Sequence, residues 1–271
     1  MTARLRDTPV QAALAVAAIA WLIPLAIVVL GALHPASGAF TLAPKGLTLA
    51  NFTDVLKSTG LPRLFLNSLI VTALSTALVI VVSSLAAYGL VRHPFPGSQL
   101  AQFVILTGLM LAPAAVIVPL YSEIKDLGLL NNYLGLIGPY TALGLPVGLL
   151  LFRNAFTAIP SEIFDAARVD GSPTLRTYAR VAMPLALPTI ATVAILQAVT
   201  SWNEYLMALL FMTDDTKQTV QLAFVSFTGQ FSTQQEKQFA VMTLVMLPVV
   251  IAFVVSQRWL IRGLTGGSVN R

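Results

Sequence analysis

The sequence predicts an all-α membrane protein with six transmembrane helices and a helical elbow outside the membrane. Three observations lead there. Of 271 residues, 56% are hydrophobic and only 10% charged, with a mean hydropathy of +0.82, far more apolar than a soluble domain. Six runs are long enough for a hydrocarbon core of about 30 Å, which needs roughly 20 apolar residues per helix; they lie near 10–33, 65–91, 100–121, 133–153, 185–212 and 239–262. Between the fourth and fifth runs comes the longest charged stretch on the arginine-rich side, Ser161 to Ser172. We read residues 1–271 as one integral membrane domain, with a core over 65–262 that contains a loop at 153–184.

The first run follows Arg4 and Arg6 as a signal peptide would, but it exceeds the about 7–15 residues of a signal core and reads as a retained anchor. The loop at 34–64 carries Leu47 to Leu56, where Asn51 or Thr53 is placed to cap a short surface helix with Phe52, Val55 and Leu56 on one side. Span two opens on Asn67 and Ser68 and carries Thr72, Ser75, Thr76, Ser83 and Ser84 at spacings of three and four. Such hydroxyls suit either a helix-packing seam or the polar lining of a path. Pro113 and Pro119 in span three, and Pro139 and Pro146 in span four beside Gly144 and Gly148, imply bent helices.

Charge sets the expected orientation. With the amino terminus in the cytoplasm, ten cations face that side (Arg4, Arg6, Arg92, Arg153, Arg168, Arg176, Arg180, Arg258, Arg262 and Arg271) and six face the other (Lys45, Lys57, Arg63, Lys125, Lys217 and Lys237). This bias places both termini in the cytoplasm. The arginines are scattered at helix ends, so the net charge of +5 implies no nucleic-acid partner. There is no cysteine, and His34 and His93 sit in different loops, which argues against a disulfide or a metal site.

In the charged stretch, Pro160 and Ser161 start a helix, Glu162 and Asp165 suit its positive end, and Gly171 suits the left-handed turn that closes it, so 162–170 is expected to be helical. Ser172 then caps a second helix with Pro173 in its first position. Ile163, Ala166, Ala167 and Asp170 share one face, and Phe164 and Ala167 the next. Small alanines flanked by Ile163 and Phe164 fit a groove on another protein; an amphipathic turn lying on the membrane fits the pattern equally.

The run Asp165-Ala166-Ala167, Gly171, Val181 and Met183-Pro184 resembles the Glu-Ala-Ala loop of permease subunits of ABC importers. Resemblance to their six-span sugar-importer branch extends through Leu66 to Val71, Ala86 to Gly89, Arg92 to Gly97, Ile117 to Tyr121, Leu127 to Asn131, Trp202 to Tyr205 and Arg258 to Gly267. Asp165 stands where the family has glutamate, and Val181 and Met183 where it has isoleucine and leucine. The resemblance implies a type I ABC importer-like permease fold in the cytoplasmic membrane, with the elbow as coupling helix. Glu162, Ile163, Phe164, Asp165, Ala166, Ala167, Asp170 and Gly171 would then meet a cytoplasmic ABC ATPase dimer. It also implies a second permease subunit in a heterodimer, an extracytoplasmic solute-binding protein docking on the loops at 34–64, 122–132 and 213–238, and ATP and Mg bound by the ATPase, with no cofactor or catalytic residue on this chain.

Glu204 is the one acidic residue expected within a span. Burying it costs several kcal/mol unless it is paired or solvated, which marks a functional site. With Gln197, Ser201, Trp202, Asn203 and Tyr205 it forms a candidate solute path, ring faces for a sugar's C–H groups and amides for its hydroxyls. The competing role is a bond to a neighbouring helix, with Trp202 packed between helices. An ion-coupled secondary transporter is the alternative function, yet a single interior carboxylate is thin material for an ion relay. A non-transporting scaffold is the other. Within the ABC class, a sugar is the expected solute and a glycerol-phosphate-type compound the alternative. No phosphate-binding loop or metalloprotease motif is present.

Overall fold

The structure is a computed structural model that describes residues 8–35, 46–58, 60–227 and 234–265, with side chains at all of these except 8–10, 226 and 255–265. Arg4, Arg6, Arg271 and the glycines ending the Arg258 to Gly267 tail lie outside the described residues, as do the side chains of Arg258 and Arg262. The described residues contain helices and turns but no strand. The chain divides into two compact units, one of residues 1–62 and 222–248, the other of 63–221 and 249–271.

In the first unit, α1 (Thr8–Ala32) is apolar on every side and buries none of its most apolar window. Such a helix is stable only where lipid or protein covers it, since its backbone is satisfied internally while its side chains shun water. Short α2 (Ala50–Ser58) is fastened to its end, because the buried Asn51 side chain donates to the carbonyls of Ala32 at 2.8 Å and His34 at 2.7 Å. That engagement removes Asn51 from the expected capping role, which Thr48 fills by accepting from the Ala50 N–H at 3.1 Å. The buried face is therefore Asn51 and Val55, one turn apart, and Leu56 is exposed.

In the second unit, α3 (Leu61–Arg92) is an unbroken 32-residue span. The third span is broken: α4 (Ser98–Thr107) and a 3-10 turn (Gly108–Met110) meet α5 (Pro113–Asp126) at a 104° bend. Leu111 and Ala112 are extended, as the residue before a proline prefers, and Pro113 restarts the helix. α6 (Leu134–Ala158) crosses whole, with Pro139 and Pro146 inside it. After the elbow helices α7 (Ser161–Val169), α8 (Thr174–Thr177) and α9 (Met183–Leu185), a 78° bend at Ala186 leads into α10 (Leu187–Asn203). α11 (Leu206–Phe211) follows a break at Glu204 and Tyr205 that the single expected run 185–212 did not contain. A 3-10 segment (Val220–Phe227) and α12 (Gln235–Thr265) follow, each divided between the units, with 222–248 counted in the first. Among the described residues, four helices are long and apolar enough to cross a membrane, or up to six when each bent pair counts as one span.

The core of this unit joins Val79, Tyr88, Leu149, Phe152, Phe156 and Phe164. α6 and α3 approach closely where Gly144 and Gly148 lie one turn apart. A methyl on Gly144 would overlap the Gln197 amide and Val79, and one on Gly148 would overlap Ser83. Small residues at an interface let membrane helices touch along their backbones. Gly144→Val should lower stability by about 1–3 kcal/mol, the usual cost of overpacking, read as a lower thermal midpoint of the detergent-purified protein.

Candidate functional site

The elbow is built as its residue pattern requires. α7 ends in a Schellman closure: the Ser172 N–H donates to Ala167 O at 2.9 Å and the Gly171 N–H to Arg168 O at 2.9 Å, with Gly171 at φ +70°. Glu162 occupies the first turn and Arg168 the last, each on the side the helix dipole favours. The second helix differs from expectation. Pro173 is extended and sits before the helix, which begins at Thr174, while Ser172 Oγ lies 3.1 Å from the Thr177 hydroxyl. A π-turn (Tyr178–Ala182) then joins α8 to α9.

Phe164 faces inward, 4% exposed. The sequence pattern put it beside the groove-binding alanines, but its ring packs on Tyr88 at 6.2 Å, and the Arg92 guanidinium lies 3.8 Å from its centre. The same guanidinium donates to Phe156 O at 2.7 Å and Ile159 O at 2.6 Å, satisfying carbonyls at the end of α6. Ser84 meets the Tyr178 hydroxyl at 2.7 Å. With its inner side fixed, α7 exposes Glu162, Ile163, Asp165, Ala166 and Asp170, and half-buries Ala167. Asp165 pairs with Arg168 at 3.6 Å, an exposed contact of little energetic weight. Val169, 89% exposed, and Leu175 extend the open surface with apolar groups that periodicity did not single out. Arg92→Ala removes two charge-assisted hydrogen bonds and the ring contact, so amide exchange across 161–170 should speed at least about tenfold, on a scale of roughly 1.5–3 kcal/mol per such bond, as hydrogen exchange in nanodiscs would read.

A second constellation lies within the spans, where a cavity of about 130 Å³ opens against α6 and α10. Gln197, Ser201 and Glu204 come together there, joined by Tyr140, Thr200 and the seam at Gly144. Glu204 Oε2 accepts from the Tyr140 hydroxyl at 2.6 Å and the Ala208 N–H at 3.2 Å, and Oε1 accepts from the Met207 N–H at 2.9 Å. The carboxylate thus bridges α6 to the start of α11. Gln197 donates to Tyr140 O at 3.0 Å and Ser201 Oγ at 2.9 Å, and Ser201 meets Ser75 at 3.1 Å. This polar string crosses from α10 to α6 and α3. It satisfies groups that would each cost free energy if left unpaired in an apolar surround.

The other three path candidates point elsewhere. Trp202 is buried against Phe65, ring centres 5.7 Å apart, and its carbonyl accepts from Gln221. Asn203 bonds back to Val199 O, and Tyr205 is exposed. Tyr140 was not singled out from the sequence, although a tyrosine within an apolar span signals a hydroxyl needing a partner. At the far end of these helices, Asn131 accepts from the Asp214 N–H at 2.8 Å, Asn67 donates to the carbonyls of Thr216 and Gln218, and Tyr133 donates to Asn67 at 2.8 Å. The Thr216 hydroxyl and N–H hold the Asp214 carboxyl below its ordinary range.

Comparison with known proteins agrees with this architecture. Residues 79–266 match the family described as binding-protein-dependent transport system inner membrane component. The chain is similar to the probable ABC transporter permease protein YurM of Bacillus subtilis (strain 168), 36% identical over 211 residues, covering 78% of this chain and 70% of that one. It is 31% identical over 228 residues to the melibiose/raffinose/stachyose import permease protein MelC of the same organism, covering 84% of this chain and 83% of that one. A solved structure of a bacterial ABC transporter involved in the import of the acidic polysaccharide alginate shares the fold, with a TM-score of 0.81 at 22% identity over 94% of this chain and 96% of that chain. The matched family covers the elbow, the cavity and every span from the middle of α3 onward, and the chain belongs to it: this is the inner-membrane permease component of a binding-protein-dependent ABC importer.

Proposed function

We propose that the chain carries a saccharide across the cytoplasmic membrane by alternating access, driven through the elbow by a cytoplasmic ABC ATPase dimer. The observation that carries this reading is the two-sided α7, whose Phe164 is locked into the core while Glu162, Ile163, Asp165, Ala166 and Asp170 stand open. A helix held on one side and free on the other transmits displacement. Ala167 and Gly171 set how closely the elbow seats and how it turns. ATP and Mg belong to the ATPase, and this chain performs no chemistry. A second, different permease subunit completes the path, and an extracytoplasmic binding protein delivers solute to the face of Asn131 and Asp214. Both termini lie in the cytoplasm, and residues 65–262 form the moving core around the loop at 153–184.

Gln197, Ser201 and Glu204 are the solute-facing groups, with Trp202, Asn203 and Tyr205 shaping the helix break beside them. The saccharide assignment draws on the named cargo of the MelC relative and on a cavity that combines apolar walls with amide, hydroxyl and carboxylate groups. The chain should co-purify with an ATPase whose hydrolysis in proteoliposomes rises when saccharide-loaded binding protein is added. Uptake driven by an ion gradient without ATP would refute the assignment.

A further inference from the structure

We infer that an anionic phospholipid binds at the elbow end of α3, its phosphate in a basic notch and one acyl chain in the apolar groove beside it. The inference goes beyond the import reading and concerns a different part of the chain from the Glu204 cavity. The notch, of about 30 Å³, lies where α3 ends against the elbow and is lined by Arg92, His93, Arg168, Ser172, Thr174 and Thr177. A water needs about 10–15 Å³ of such space, so the notch admits phosphate oxygens and not a sugar ring. Among the described residues no carboxylate lines it. Asp165 pairs with Arg168 at 3.6 Å, so two guanidiniums stand against one carboxylate. Arg92 makes both of its carbonyl bonds through Nη2, and its buried Nε–H has no hydrogen-bond partner. Unbalanced guanidinium charge beside hydroxyl donors is what a phosphate satisfies.

The groove, of about 340 Å³, is walled by Leu85, Gly89 and Leu90 of α3, Phe95 of the turn, and Ala101 and Ile105 of α4. Leu85 and Phe95 are exposed, and nothing lies within 4 Å of the place a methyl on Gly89 would take. His93 lines both the groove and the notch, its ring edge-on to Tyr88 at 6.0 Å. Basic wall and apolar wall therefore meet at one side chain, in the order in which a phosphodiester meets its hydrocarbon tail. A free phosphate would leave the groove unfilled. A zwitterionic head would bring an ammonium group against two guanidiniums. Basic pockets between helices take anionic lipid heads, each cationic side chain near the surface adding about fivefold in affinity. Arg92 and His93 belong to α3 and its end, and Arg168, Ser172 and Thr174 to the elbow, so the bound head ties one to the other.

The test uses the whole importer, with its ATPase and second permease, in phosphatidylcholine nanodiscs holding a trace of phosphatidylglycerol whose acyl chain carries a diazirine. After illumination, peptide mass spectrometry should find the label within 85–105. Unlabelled phosphatidylglycerol should compete at least about fivefold better than phosphatidylethanolamine. Arg168→Gln should cut that preference at least about threefold. Gly89→Leu fills the groove without reaching the notch and should cut labelling at least about tenfold. Co-purification of the ATPase checks that each variant is assembled, and the wild-type competition decides even where a variant fails to assemble. Equal competition by phosphatidylethanolamine, or displacement of the label by millimolar inorganic phosphate, would overturn the inference and leave the import reading standing. Label absent from 85–105 in the whole complex would do the same, as it must if the second permease covers the groove.

Discussion

In liposomes holding the assembled importer, Gly171→Val keeps ATP hydrolysis near its basal rate while solute uptake falls at least tenfold. Gly171 sits at φ +70°, where a β-branched side chain is a steric outlier and a left-handed L-residue costs roughly 1–2 kcal/mol. The substituted chain escapes by turning Gly171 over, which breaks the Ser172 to Ala167 closure and redirects α8. Phe164 still pins the inner side of α7, so the change appears on the outer side, where the ATPase is proposed to seat. Gly171→Asn is the control, since asparagine tolerates this conformation and should keep most of the uptake. Normal import by the valine variant would remove the elbow from the coupling role.

The second large effect is expected at Glu204. Glu204→Ala strips the partner from the Tyr140 hydroxyl and the acceptor from two N–H groups that open α11. A lost hydrogen bond to a charged group costs about 1.5–3 kcal/mol and a lost helix cap about 1 kcal/mol, enough to loosen the α10–α11 break without unfolding a chain whose other spans are untouched. Uptake should fall at least tenfold while the ATPase subunit still co-purifies and hydrolyses ATP. Unchanged KM and maximal uptake in the alanine variant would leave Glu204 a helix-bridging residue alone.

Much of this was legible in the residue order, because lipid imposes long apolar runs and an elbow needs its proline, acidic first turn and glycine at fixed distances. α7 begins one residue before its expected start and ends one before its expected end, and Gly171 takes the left-handed turn its place implies. Breaks were harder to see. The break at Leu111–Ala112 falls beside Pro113, one of the prolines that implied bending, whereas hydropathy alone gives no sign of how sharp that bend is or of the one at Ala186. Trp202, Asn203 and Tyr205 were grouped because they adjoin in the chain. The end of α10 at Asn203 and the extended Glu204 disperse them. The Tyr140 to Glu204 bond spans 64 positions, beyond the reach of any local pattern. Phe164 shows the same limit: periodicity places a residue on a face, but only the positions of Tyr88 and Arg92 decide which face is covered.

The Arg92 side chain touches three helices at once, standing at the end of α3, holding two carbonyls at the end of α6 and lying against the first turns of α7. It works as a pin through three plates. A push on α7 loads α3 and α6 together, so these two long helices tilt as a pair and cannot shear past each other near that pin. Under the proposed coupling, a push on α7 would then bend the chain at the π-turn and at Ala186, the corner where α9 meets α10.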